Sequence, residues 1–237
     1  MQNSRVAVVT GASRGIGKAI AEKLAANGFD LLLVSRNEFK LYQALEELLL
    51  KYPGVSIKAR AFDLSDAAAT KACSDWILSN TSAPAVLVNN AGTFLPGDIY
   101  KQEEGVLESQ LATNLYSAYH LTRTLLPAMT AQKSGHIFNI CSIASLRAYP
   151  NGGAYSISKF ALYGFSQNLR EEMKPHGIKV TAVLPGAVMT DSWAGFDNSQ
   201  GRIMEAADIA NMVYAATQLS PQACVEDIII RPQLGDL

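Results

Sequence analysis

The stretch Val6-Ala7-Val8-Val9-Thr10-Gly11-Ala12-Ser13-Arg14-Gly15-Ile16-Gly17 decides the fold. A short run rich in β-branched residues stops at Gly11. From Gly15 the apolar residues recur at helical spacing to residue 26, ahead of Gly28. A strand, a glycine-rich loop and a helix in that order predict a pyrophosphate site, because the unpaired N–H groups and the dipole at a helix N-terminus favour negative charge. Gly11 permits the turn, Gly15 lets the backbone approach the phosphates, and Gly17 lets helix and strand pack closely. Ser13, Arg14 and Ile16 complete the same loop. Three glycines in a loop are a weak signal alone, since turns also need glycine. Their place at the first strand-to-helix junction strengthens it, because doubly wound sheets bind dinucleotides there.

Outward from this unit the alternation repeats. Strand-like apolar runs lie at 31–35, 55–62, 85–89, 136–141, 178–184 and 225–230, and helical patterns at 39–50, 67–78, 105–129 and 153–173. Near-continuous apolar strands separated by helices imply a parallel sheet covered on both faces. The expected class is therefore α/β, a doubly wound Rossmann-type sheet in one domain over residues 1–237. The segment 186–204 has no clear periodicity and carries Trp193, Phe196 and further glycines. A loop of that length between core elements reads as a substrate lid.

Composition excludes some partners. Net charge is −1 and the basic residues are scattered, without the stripe that nucleic acid or an anionic membrane would select. Cys73, Cys141 and Cys224 are odd in number and far apart, so neither disulfides nor a metal-ligand cluster is expected and all three read as reduced core residues. No apolar stretch reaches the ~18 residues of a membrane span, and Arg5 leads directly into a strand-like run. The expected location is cytoplasmic.

The end of the second strand reads the cofactor. NAD-binding sites place an acid about 20 residues after the glycines to bind the ribose 2′-hydroxyl, but this chain has Ser35-Arg36 there. Arg36, with Arg14 from the glycine loop, can pair a 2′-phosphate through forked, charge-assisted hydrogen bonds, which points to NADP(H). Asp30, the nearest acid, precedes the strand and lies on the wrong side for this task.

Of the nine tyrosines only Tyr155 has a lysine four residues later. On a helix, Tyr155 and Lys159 share one face, so an ammonium can lie near a phenol. A free phenol has a pKa near 10, and a drop of two to three units needs about 3 to 4 kcal/mol of differential interaction. The expectation is a phenol whose pKa the lysine lowers toward neutrality.

Taken together, these residues resemble the short-chain dehydrogenase/reductase family over nearly the whole chain. Six segments match in order: Thr10-Gly11-x-x-x-Gly15-x-Gly17, Asp63-Leu64, Asn89-Asn90-Ala91-Gly92, Asn114, Ser142 with Tyr155-x-x-x-Lys159, and Pro185-Gly186 with Thr190. The resemblance implies that Asp63 binds adenine and Leu64 flanks it. It implies that Asn89 braces the central strand, that Asn90, Ala91 and Gly92 meet the cofactor's ribose, and that Val188 and Thr190, after Pro185 and Gly186, hold the nicotinamide carboxamide. Asp63 also fits a plain cap for the next helix. The implied chemistry makes Tyr155 the proton donor to a substrate carbonyl, Lys159 its tuning cation and a ribose contact, Ser142 the polarising hydroxyl, and Asn114 the holder of a water that relays protons to Lys159. Ser145 and Ser158 compete with Ser142 for the serine role; Ser142 ends its strand and sits thirteen residues before Tyr155, as in the family.

The substrate is open at this point. A small-molecule carbonyl or alcohol is implied, either a 3-oxoacyl or small keto compound for a reductase, or a 3-hydroxy acid or serine-type substrate for a dehydrogenase. A non-catalytic nucleotide sensor on the same fold is the alternative of another class. The closing Val225-Glu226-Asp227-Ile228-Ile229-Ile230-Arg231-Pro232 lacks the glycine-rich ending of many 3-oxoacyl-acyl-carrier-protein reductases. It looks more like the branch of 3-hydroxy-acid and serine dehydrogenases and sepiapterin-type reductases. Lys133, Arg170, Lys174 and His176 are candidate surface cations for an acyl carrier. The helices at 105–129 and 153–173 resemble the pair that forms a four-helix contact in this family, so a homodimer or homotetramer is expected.

Overall fold

In the computed structural model, which describes residues 5–193 and 195–236, seven parallel strands form one sheet in the order β3-β2-β1-β4-β5-β6-β7. The strands are β1 Val6–Thr10, β2 Asp30–Ser35, β3 Ile57–Ala61, β4 Val86–Asn89, β5 Gly135–Ile140, β6 Ile178–Pro185 and β7 Asp227–Ile230. The chain runs outward from β1 to β3, returns, and runs outward again from β4 to β7. Strand order therefore reverses between β1 and β4, where a crevice opens at the strands' C-terminal ends.

Side chains alternate across the pleat and build two cores. Ala7, Val9, Leu31, Leu33, Val86 and Val88 face one layer. It contains α1 (Gly15–Ala25), α2 (Glu38–Lys51) and α7 (Ala206–Thr217), through Ile20, Leu24, Leu41, Leu48, Ile209 and Val213. Val8, Leu32, Val34, Leu87 and Ile137 face the other. It contains α3 (Ala67–Asn80), α5 (Ser117–Gln132) and α6 (Gly153–Met173), through Cys73, Ile77, Leu121, Leu125, Leu169 and Met173. Both faces are dry, which is why the strands read as continuous apolar runs.

Two elements depart from the sequence reading. The helix expected over 105–129 is α4 (Val106–Leu111), a π turn at Ala112–Tyr116 and then α5, so Asn114 sits on a helical irregularity of the kind found at functional sites. Helix α7 was not assigned. Its signals are a reciprocal Glu205/Asp208 cap and the apolar spacing Ile209, Ala210, Val213 and Ala216. Cys224 is exposed rather than part of the core, whereas Cys73 and Cys141 are buried.

Candidate active site

The C-terminal ends of the strands open onto one cavity of about 540 Å³ that reaches from Arg14, Arg36 and Asp63 to Tyr155 and Lys159. At its centre the glycine loop is built for close approach. Gly11 and Gly15 have φ of 64° and 52°, and a Cβ on Gly17 would lie 2.3 Å from the Gly11 carbonyl oxygen. The N-cap residue Arg14 makes no side-chain hydrogen bond to α1 and no acid lies in the helix's first turn, which leaves its N-terminal N–H groups to a ligand. Asn90 stitches this loop to β4, its Nδ2 donating to the carbonyls of Thr10 at 3.0 Å and Gly11 at 3.2 Å. The residues fit a dinucleotide: glycines where a Cβ would clash, a bare helix N-terminus, and cations at one end.

At that end Ser13 Oγ and Ser35 Oγ are 2.9 Å apart, joining the glycine loop to β2. Arg36 lies 3.8 Å from Asp63, and Arg14 is ion-paired with Asp191. Asp63 does not cap α3; Asp66 does, accepting from Ala69 N–H at 2.7 Å. Asp63 instead accepts two hydrogen bonds from Ser65. Burial pushes its carboxyl up, but those bonds and Arg36 outweigh burial and hold it below the usual range. Leu64 and Ala91 line the same wall. Asp30 pairs with Val6 at the opposite end of β2 and binds the Ser56 N–H at 2.7 Å, so it is remote from the cavity.

At the other end α6 carries Tyr155 and Lys159 on one face. Lys159 is buried, with Nζ 5.8 Å from the Tyr155 ring centroid and donating to the Ile140 carbonyl at 2.8 Å. The expected lowering of the phenol pKa is not what this arrangement produces. Burial dominates, offset in part by a hydrogen bond with Ser142, and pushes the Tyr155 phenol up to about 12. Burial likewise pushes the Lys159 ammonium down. Phe94 packs edge-on against Tyr155, centroids 4.8 Å apart.

Among the competing serines, Ser145 is buried and accepts from the Ser142 N–H, and Ser158 is buried and donates to the Tyr155 carbonyl at 2.7 Å. Ser142 is partly exposed at the end of β5, beside Cys141 and in reach of Tyr155. Asn114 is held through its side-chain amide. Its Oδ1 accepts from Thr93 N–H at 2.7 Å, and its Nδ2 donates to the Thr93 carbonyl at 3.1 Å and to Ser158 Oγ at 2.9 Å. The side-chain amide is thus a brace between the loop after β4 and α6.

Thr190 meets the glycine loop, its Cγ2 lying 3.1 Å from where a Cβ on Gly15 would stand. Pro185, Gly186 and Val188 lie outside the cavity wall. Pro185 ends β6, Gly186 is bonded to the Ile230 carbonyl and packed against Pro232, and Val188 is buried and bridged to Met204. The sequence reading missed Asn37, Lys40 and Asp191, which do line the cavity. Arg170 is no surface cation: its guanidinium is buried against the Val180 carbonyl and Asp227.

The model of the short-chain dehydrogenase family matches residues 5–201. The chain belongs to the short-chain dehydrogenases. An uncharacterized oxidoreductase of Staphylococcus epidermidis is 32% identical over 233 residues, covering 96% of this chain and 97% of that one. The sepiapterin reductase of Chlorobaculum tepidum is 32% identical over 238 residues, 98% of each. The crystal structure of a metagenomic short-chain oxidoreductase in complex with NADP is 34% identical, with a TM-score of 0.84 and 97% of each chain covered. Short-chain dehydrogenases are oxidoreductases, and the doubly wound parallel sheet is the fold of these neighbours. No described helix is long and apolar enough to cross a membrane.

Proposed function

We propose that this short-chain dehydrogenase is an NADP(H)-dependent reductase of 3-oxoacyl or small keto compounds, able to run in reverse on the secondary alcohol. The observation that carries the reading is the continuity of one cavity from Arg14 and Arg36, past the glycine loop, to Tyr155 and Lys159. NADP in a neighbour that is 34% identical and aligns over 97% of this chain supports the cofactor. Arg14 and Arg36 would hold the 2′-phosphate, Gly11, Gly15 and the α1 N-terminus the pyrophosphate, Asp63 and Leu64 the adenine, and Asn90 to Gly92 the ribose side. Thr190, at the cavity wall, would hold the nicotinamide, which when bound supplies or accepts the hydride.

Tyr155 then gives its proton to the carbonyl oxygen. Burial keeps the phenol protonated across the physiological range, so it is in the form that can donate. The Ser142 hydroxyl donates to the same oxygen where charge develops. Lys159, one turn after the phenol on α6, would bind the cofactor's ribose. Asn114, its amide braced by Thr93 and Ser158 at the π turn, would hold the relay water. Phe94 against Tyr155, with Leu146 and Tyr149 exposed just after Ser142, provides an apolar rim. It suits a keto compound with an acyl chain or flat ring, and segment 186–204 closes over it as a lid.

The test is oxidation of NADPH with a panel of ketones, aldehydes and 3-oxoacyl thioesters, and reduction of NADP+ with 3-hydroxy acids and serine. Turnover with a keto compound that exceeds turnover of its alcohol at pH 7 supports the reading. Oxidation only would make the protein a 3-hydroxy-acid or serine-type dehydrogenase, and binding of NADPH without turnover across the panel would leave a nucleotide sensor.

A further inference from the structure

The cations that face the proposed 2′-phosphate are not waiting bare. Asp191, the residue after Thr190, opens the short turn Asp191–Trp193 within the lid segment. Its carboxylate is ion-paired with Arg14 and lies 3.7 Å from Lys40 Nζ. All three residues line the same cavity as Ser35 and Arg36. Lys40 is placed there by the start of α2: Asn37 caps the helix by accepting from the Lys40 N–H at 2.9 Å, one turn after Arg36 leaves β2. The Asp191 carboxyl is held below its usual range by Arg14 first and Lys40 after it.

We propose that Asp191 is a competitor, built into the lid, for the cations that read the cofactor's 2′-phosphate, and that Lys40 is the third of those cations. The inference rests on the NADP(H) reading above and deepens it. A 2′-phosphate brings about −1.5 to −2 charges to the site. It cannot share Arg14 and Lys40 with a carboxylate without like-charge repulsion. Asp191 is about half exposed, so water can take it up as it leaves. Phosphate entry and carboxylate departure are then one exchange. NADH has no phosphate and leaves the Asp191 pairs in place. The lid is thereby tied to the glycine loop until the correct cofactor arrives, and cofactor choice is set by this competition as well as by Arg36. Trp193, two residues beyond Asp191 and edge-on to Phe196 at 5.3 Å, reports the release.

Calorimetric titration of the wild type, Asp191→Asn and Lys40→Met with NADPH and with NADH tests this. Asp191→Asn is expected to lower the Kd for NADPH by about threefold while moving that for NADH less than twofold, the size an exposed ion pair allows. Lys40→Met is expected to raise the NADPH Kd by a similar factor, again sparing NADH. Adenosine 2′,5′-bisphosphate should shift tryptophan emission in the wild type, whereas 5′-AMP should not. An Asp191→Asn protein with unchanged or weaker NADPH binding, or with both cofactors tightened alike, overturns the competition while the NADP(H) reading stands. A wild type that binds NADPH and NADH equally overturns both.

Discussion

Tyr155 shows how far a residue's chemistry follows from its sequence neighbours. The four-residue interval to Lys159 placed both groups on one helical face, as expected. Burial was the part no spacing could reveal. It depends on β5 and α6 closing around the pair, and it sets the phenol pKa near 12 rather than near neutrality. The sign of the pH dependence follows. Reduction needs the protonated phenol, so reductive kcat/KM should stay level from pH 6 to 9. Oxidation needs the phenolate, so its kcat/KM should climb over the same range; a reductive profile falling above pH 7 would count against this. Tyr155→Phe should cost at least about 100-fold in turnover, the usual worth of a positioned proton donor, with the NADPH Kd within twofold of wild type. Lys159→Ala should damage turnover and NADPH binding together. Lys40 and Asp191 escaped the sequence reading for the opposite reason: a lone lysine and a lone aspartate 151 positions apart meet only through the fold.

Among the elements, strands with uniform apolar faces and helices with a clear 3.6-residue pattern were legible, and their observed limits differ by up to three residues from those expected. Helix α7 was not, because it follows a long irregular loop and its cap is Glu205 rather than a serine, threonine or asparagine. The π turn was not legible either, since it keeps helical periodicity almost intact. Two elements make stability predictions. On β5, His136 is buried and bonded to Thr181 Oγ1 at 2.7 Å, and burial, with Lys179, pushes its pKa down to about 3. The imidazole is therefore neutral in the folded chain and titrates near 6.5 when unfolded. Stability present above pH 6.5 is lost as pH falls from there toward 3, at a limiting slope of about 1.4 kcal/mol per pH unit. Chemical denaturation between pH 7 and 5 should show this slope, reduced in His136→Gln; identical curves would remove His136 as the cause. At the start of α6, Gly153 has φ of 37° and its Cβ would stand 2.1 Å from the Gly97 carbonyl oxygen. Gly153→Ala should destabilise the fold by about 1 to 3 kcal/mol and displace Tyr155, read as a lower denaturation midpoint together with lost turnover.

At the scale of the whole molecule, α5, α6 and the π turn present one set of exposed apolar side chains. Tyr116, Tyr119, Ile157 and Phe160 are each more than a third exposed. Such a face on a symmetric pair of helices suits a two-fold contact with a second copy. Light scattering at micromolar concentration should give a dimer or tetramer, and Phe160→Asp a smaller species; a monomeric wild type would refute the contact. The central claim is that one cavity joins a reader of the 2′-phosphate to a proton donor. It is tested most directly by the ratio of kcat/KM for NADPH and NADH in the wild type and in Ser35→Asp/Arg36→Ala. The account predicts at least about a tenfold preference for NADPH in the wild type, equivalent to roughly 1.4 kcal/mol, and its reversal in the double variant as the new carboxylate accepts the ribose hydroxyls and repels the phosphate. Equal use of the two cofactors by the wild type, or a ratio unchanged in the variant, would contradict it.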